Sequence, residues 1–104
     1  MIVVSVIRSS DFISSISIKG HGEMGYGKDL VCAGVSSCFI GALNAIAEPE
    51  CYHFRTKAGD GLVESLSVPS VHDEIVLETL VIQLKTIEDQ YPESIRVKVS
   101  RKEG

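Results

Sequence analysis

Two runs of alternating hydrophobicity open the chain, and only three residues separate them. Ile2, Val4 and Val6 share one face of a strand over residues 2 to 8, and Phe12, Ser14, Ile16 and Ile18 share one face of a second over 12 to 19. Parallel strands need a crossover of a dozen or more residues, so Ser9, Ser10 and Asp11 can close only an antiparallel hairpin. The rest of the chain has to cover one face of that hairpin.

Residues 29 to 47 have helical spacing, with Val31, Val35, Cys38, Phe39, Ala42, Leu43 and Ile46 inward and Glu48-Pro49 as the stop. Ala33, Gly34, Ser36, Ser37 and Gly41 are small enough for this helix to lie close to a sheet. Residues 51 to 57 and 62 to 68 predict a second hairpin around Ala58-Gly59-Asp60-Gly61. After Pro69, an amphipathic helix over 72 to 90 carries Val76, Leu80, Leu84 and Ile87, and a last strand over 94 to 100 alternates Ile95, Val97 and Val99 with Arg96 and Lys98. The order ββαββαβ predicts an α+β fold, a two-layer sandwich of two helices on a mostly antiparallel sheet. No linker, repeat or low-complexity tract interrupts it, so residues 1–104 are expected to form a single domain.

Composition narrows the function classes. The start MIVVSVIRSSDF has no basic leader, and no stretch approaches a membrane span, which predicts a cytoplasmic protein with no membrane partner. Three cysteines without a C-x-x-C pair suit reduced thiols rather than a disulfide scaffold. A net charge of −4 argues against nucleic acid as the main ligand and suits a basic peptide or protein.

The candidate site is the run from Gly20 to Gly34, where a strand gives way to a glycine-rich loop and then to a helix. With Asp29 as N-cap, Cys32 falls in the first helical turn, where unpaired amides and the helix dipole favour thiolate over thiol, and His21 is one loop away. Asp29 can cap that turn or orient His21, and the residues leave both open. The competing reading of Cys32 is a small buried apolar residue. Gly20-His21-Gly22-Glu23-Met24-Gly25 also matches G-x-G-x-x-G, but its strand belongs to a hairpin, its helix begins late, and Glu23 would face a pyrophosphate. Gly22, Gly25 and Gly27 are better explained as hinges of a loop that closes on substrate. Cys51 and His53 share a strand face, yet with Cys32, Cys38 and His21 they lack the paired spacing of a zinc site, so no metal and no cofactor are expected.

The segment Gly20-His21 … Gly27-Lys28-Asp29-Leu30-Val31-Cys32-Ala33-Gly34-Val35-Ser36 resembles the G-H-A … G-x-D-I-V-C-A-x-x-S signature of the ribosomal-processing cysteine proteases, a small bacterial family. The element order and the closing amphipathic helix are similar too, so the likeness spans nearly the whole chain. It implies a cytosolic, homodimeric endopeptidase that removes the N-terminal extension of large-subunit ribosomal protein twenty-seven, cutting after a phenylalanine. It also implies a catalytic pair of His21 and Cys32, with Asp29 matching the motif's aspartate. Two departures stand out: Gly22 replaces the usual alanine, and the His21 to Cys32 interval is one residue shorter than the family pattern.

The chemistry then expected is attack by the Cys32 thiolate on the scissile carbonyl, with His21 protonating the leaving amine and later activating water. Free amides at the helix start would hold the oxyanion. Ser36, one turn on, could reach the site or simply pack. Two other classes compete: a noncatalytic ribosome-associated dimeric binding module, and a nucleotide-binding regulator using the glycine loop. Both leave His21 and Cys32 without a purpose.

Overall fold

A computed structural model of the chain describes residues 1–20 and 26–102, and for 26–29 the backbone alone. In order, the described residues form β1 (Ile2–Ser9), β2 (Phe12–Lys19), α1 (Tyr26–Ala45), a short 3-10 turn (Pro49–Cys51), β3 (Tyr52–Lys57), β4 (Asp60–Ser65), α2 (Val71–Gln90) and β5 (Ile95–Arg101). The expected order ββαββαβ is the observed one. The strands lie side by side as β3-β4-β2-β1-β5, antiparallel at every junction except β1–β5, which is parallel.

The first hairpin departs from the simple alternation in its sequence. Ile13, Ile16 and Ile18 are buried on β2, whereas Phe12 and Ser14 are only half-buried. The register explains the change: Ile7 opposes Ser15 but Arg8 opposes Ile13, so Ser14 is an extra residue in a β-bulge. Beyond the bulge the alternation slips by one, which turns Ile13 to the core. Ser14 Oγ donates to the Ile7 carbonyl at 3.2 Å, which satisfies a polar group at the irregularity. The second hairpin is tighter than its sequence indicates. Ala58 and Gly59 alone make its turn, with Gly59 at φ +73°, so β4 already begins at Asp60 and stops at Ser65.

Apart from the slip at the Ser14 bulge, burial follows one parity along each strand. Ile2, Val4, Val6, Ile16, Ile18, Val63 and Ile95 are buried, and the residues between them are half-buried or exposed, so both helices cover the same face and the other is open. From the helices, Val31, Val35, Phe39, Leu77, Leu80 and Leu84 complete the core. Leu77, Leu80 and Leu84 are fully buried, and at about 1.5–3 kcal/mol for each such side chain they make α2 a principal anchor of the sandwich.

Among the described residues, one polar side chain is buried in this core. Asp73 is 0% exposed near the start of α2, whose N-cap Ser70 accepts from the Asp73 amide at 3.2 Å. Its Oδ1 accepts from Ala47 N–H at 2.8 Å and lies 2.9 Å from His72 Nδ1; its Oδ2 accepts from Glu48 N–H and Tyr52 O–H, both at 3.2 Å. A single carboxylate therefore captures the chain just after α1 ends and ties it to α2. Burial pushes the Asp73 carboxyl up, but the hydrogen bonds led by Ala47 N–H outweigh it and hold it below the usual carboxylate range. Burial also raises the Tyr52 phenol, and the Asp73 charge raises it further. No helix among the described residues is long and apolar enough to cross a membrane.

Candidate active site

Two adjacent stripes run along α1. Val31, Val35 and Phe39 point into the core, while Cys32, Ser36 and Ile40, each the next residue on, border a cleft of about 390 Å³. Cys32 is half-buried, and Ser36 and Ile40 are exposed. The β3–β4 hairpin from Thr56 to Gly61, together with Ile2, Ile18 and Gly20, completes the lining.

Glycines open this space. A Cβ at Gly61 would lie 2.9 Å from Phe39 Cε2, so any side chain there would drive the ring out of its place. Gly20, at φ +104°, has its would-be Cβ against the Met1 carbonyl, and its N–H donates to the Gly59 carbonyl at 3.0 Å. The ends of β2 and the β3–β4 hairpin can therefore meet without side chains between them.

The structure changes the electrostatic case for Cys32. α1 begins at Tyr26 and ends at Ala45, not at 29 and 47, so Cys32 is its seventh residue and Asp29 lies within the helix instead of capping it. Only the first four amides of a helix lack a partner, and the dipole effect fades within the first turn. The Cys32 amide therefore belongs to the helical ladder. Neither the first-turn argument for its thiolate nor its own N–H as oxyanion donor holds.

Of the expected site residues, Cys32 and Ser36 meet in the cleft. His21, Gly22 and Gly25 lie outside the described residues, as does the side chain of Asp29, and Gly27 is described only as backbone of α1. All three cysteines are reduced. Cys38 faces elsewhere, toward a groove between α1 and α2 near Ala42 and Val76, and Cys51 closes the 3-10 turn. His53 is exposed on β3, and His72 stands beside Asp73. Phe39, Ile40, Thr56 and Gly61 are cleft residues that the sequence reading did not single out. Phe39 reads as plain core and Asp60-Gly61 as plain turn; the one available signal was the i, i+4, i+8 spacing of Cys32, Ser36 and Ile40.

A half-buried thiol, a hydroxyl one turn on and an apolar-floored cleft of ligand size, carried on an α+β sandwich, suit a cysteine protease. Comparison with known proteins makes the assignment particular: the chain belongs to the family described as Cysteine protease Prp, whose model matches residues 1–96. It is 30% identical over 103 residues to the Ribosomal processing cysteine protease Prp of Staphylococcus aureus (strain Mu50), covering 93% of this chain and 97% of that protein. It is 32% identical over 107 residues to the protein of the same name from Bacillus subtilis (strain 168), covering 93% and 96%. The crystal structure of S. aureus Prp in complex with a substrate peptide matches with a TM-score of 0.84 at 27% identity, over 96% of this chain and 100% of that one. The same protein with a covalently linked product peptide matches at 0.83 and 28%, with the same coverage.

Proposed function

We propose that the chain is an endopeptidase that removes the N-terminal extension of large-subunit ribosomal protein twenty-seven, with Cys32 as nucleophile and His21 as general acid and base. The observation that carries this reading is the placement of Cys32 and Ser36 on a cleft also lined by Gly20, the residue covalently joined to His21. Cys32 sulfur adds to the scissile carbonyl, and an imidazolium at His21 gives its proton to the leaving amine. The same histidine then takes a proton from water as water attacks the thioester, which frees the new carboxylate and restores the thiol. The relative crystallised with a covalently linked product peptide supports such a covalent route. Ile2, Ile18 and Phe39 give the cleft an apolar floor suited to a phenylalanine before the scissile bond. Gly22 and Gly25 serve as hinges of the substrate loop, whereas Gly27 falls inside α1 and is no loop hinge, and Asp29 and Ser36 support the pair. The protein works as a single-domain bacterial homodimer in the cytoplasm, without a cofactor.

The test is cleavage of a peptide spanning the extension, read by mass spectrometry, for the wild type, Cys32→Ala, Cys32→Ser and His21→Ala, with circular dichroism as the fold check. Loss of cleavage in all three variants with the fold kept is expected. Substantial turnover by any of them would misassign the pair. No cleavage by the wild type would favour the noncatalytic binding module.

A further inference from the structure

We infer that the open face of the sheet is a docking surface for the sugar-phosphate backbone of RNA. The strand register puts side chains from all five strands on this face in rows. One row reads Lys57, Asp60, Lys19, Val3, Arg96 from β3 to β5, and the next reads Arg55, Leu62, Ser17, Ser5, Lys98. Cations in the first row therefore recur every second strand, at intervals of about 10 Å. In the second row they stand at both edges with two serine hydroxyls between them.

Lys19, Lys57, Arg96 and Lys98 are exposed, and among the described residues none of them forms an ion pair. Arg55 alone is engaged, by Asp60 at 3.0 Å. Among the strand residues of this face, the five cations meet two carboxylates, Asp60 and Glu64. A chain of net charge −4 thus presents one positive face, because its acids are gathered elsewhere, many of them on α2. The net charge argues against nucleic acid only if the charges are spread evenly.

Charge complementarity selects a polyanion, and the remaining chemistry selects RNA among polyanions. Spaced single cations neutralise successive phosphates, while hydroxyls such as those of Ser5 and Ser17 bond phosphate oxygens and the 2′-hydroxyl. Membrane-surface segments combine cations with apolar side chains that insert. Here Val3, Ile7 and Leu62 are half-buried between strands and offer little to insert. The Lys57 and Lys19 end of the face is the end at which Gly20 and Gly59 line the cleft. RNA held there would present a protein bound to it from the same end of the molecule, and the surface stands independently of the His21 and Cys32 assignment.

The experiment is fluorescence anisotropy of the full chain with a labelled single-stranded RNA of roughly 20 nucleotides at several salt concentrations. Three to five phosphate contacts predict a loss of affinity of about 15- to 130-fold between ~50 and ~200 mM salt. Lys19→Glu/Arg96→Glu should weaken binding about tenfold or more, and Gln83→Glu/Lys85→Glu/Gln90→Glu on α2, which changes the net charge equally, by less than about twofold. Melting curves check the fold, and Lys19→Gln/Arg96→Gln replaces the first pair if it is destabilised. Equal losses from the two variants, salt-independent binding, or no binding at ~50 mM salt would overturn the proposal. So would tighter binding to phosphatidylserine vesicles or polyglutamate with the same sensitivity to Lys19 and Arg96, which would give the face to a membrane or an acidic protein.

Discussion

Replacing Asp73 by asparagine should cost the protein more stability than any comparably small change on its surface. The carboxylate is fully buried and its two oxygens meet four partners, of which the Ala47 and Glu48 amides and the Tyr52 hydroxyl are donors. An asparagine keeps one oxygen and turns an NH₂ toward donors, so one pair of bonds is lost and its donors are left facing another donor. Hydrogen bonds to a charged group contribute about 1.5–3 kcal/mol each, and part of the loss is recovered by rotation of the Tyr52 hydroxyl or by water at the exposed Ala47 and Glu48, which leaves about 2–4 kcal/mol. For a domain of this size, that corresponds to a fall in melting temperature of about 8–25 °C. The sign with pH follows from the lowered carboxyl. Its stabilisation is complete above the ordinary carboxylate pKa and is lost as pH falls through the lower folded value, so the wild type should lose stability in acid and approach the variant. Calorimetric melts of both proteins from neutral pH down to about pH 3 test this. A variant that melts within 2 °C of the wild type at neutral pH, on the order of a ~0.5 kcal/mol effect, would refute the role of the Asp73 carboxylate in tying the end of α1 to α2.

Gly61→Ala should push the Phe39 ring toward the cleft, costing about 1–3 kcal/mol in stability and raising KM for the peptide more than it lowers kcat, as steady-state kinetics would show. Gly41→Ala has nothing within 4 Å of its new methyl inside α1, so a melt should show a gain of about 0.5–1 kcal/mol with unchanged turnover. Glu78→Gln breaks the two-pronged pair with Arg8 at 2.7 and 2.9 Å, yet both side chains are a quarter or more exposed, so the loss should stay within about 1 kcal/mol. Because the hydrogen bond from Arg8 holds the Glu78 carboxyl below its usual range, even that difference should vanish as the pH falls through the folded value, which parallel acid titrations would detect.

Much of the fold is legible along the chain because it depends on local period and short connections. The hairpin at Ser9 to Asp11, the helix after Pro69 and the alternation of Ile95, Val97 and Val99 all lie in elements that form as expected, to within a residue or two at their ends. Misplacements arise where a non-local partner decides. The bulge at Ser14 exists only against β1. Asp73 looks like an ordinary acidic first-turn residue until Ala47, Glu48 and Tyr52 are brought onto it.

By itself, then, the sequence determined the ββαββαβ order, the two amphipathic helices and the prominence of Cys32, because periodicity, turn residues and a motif act over a few neighbouring positions. Only the tertiary structure decided that the Cys32, Ser36 and Ile40 stripe shares a cleft with Thr56 and Gly61, and that Lys19, Lys57 and Arg96 stand in one row on the open face. Those residues come from strands and helices far apart in the chain. Their proximity is set by strand register and by which face the helices cover, and a net charge summed over the sequence carries no record of either.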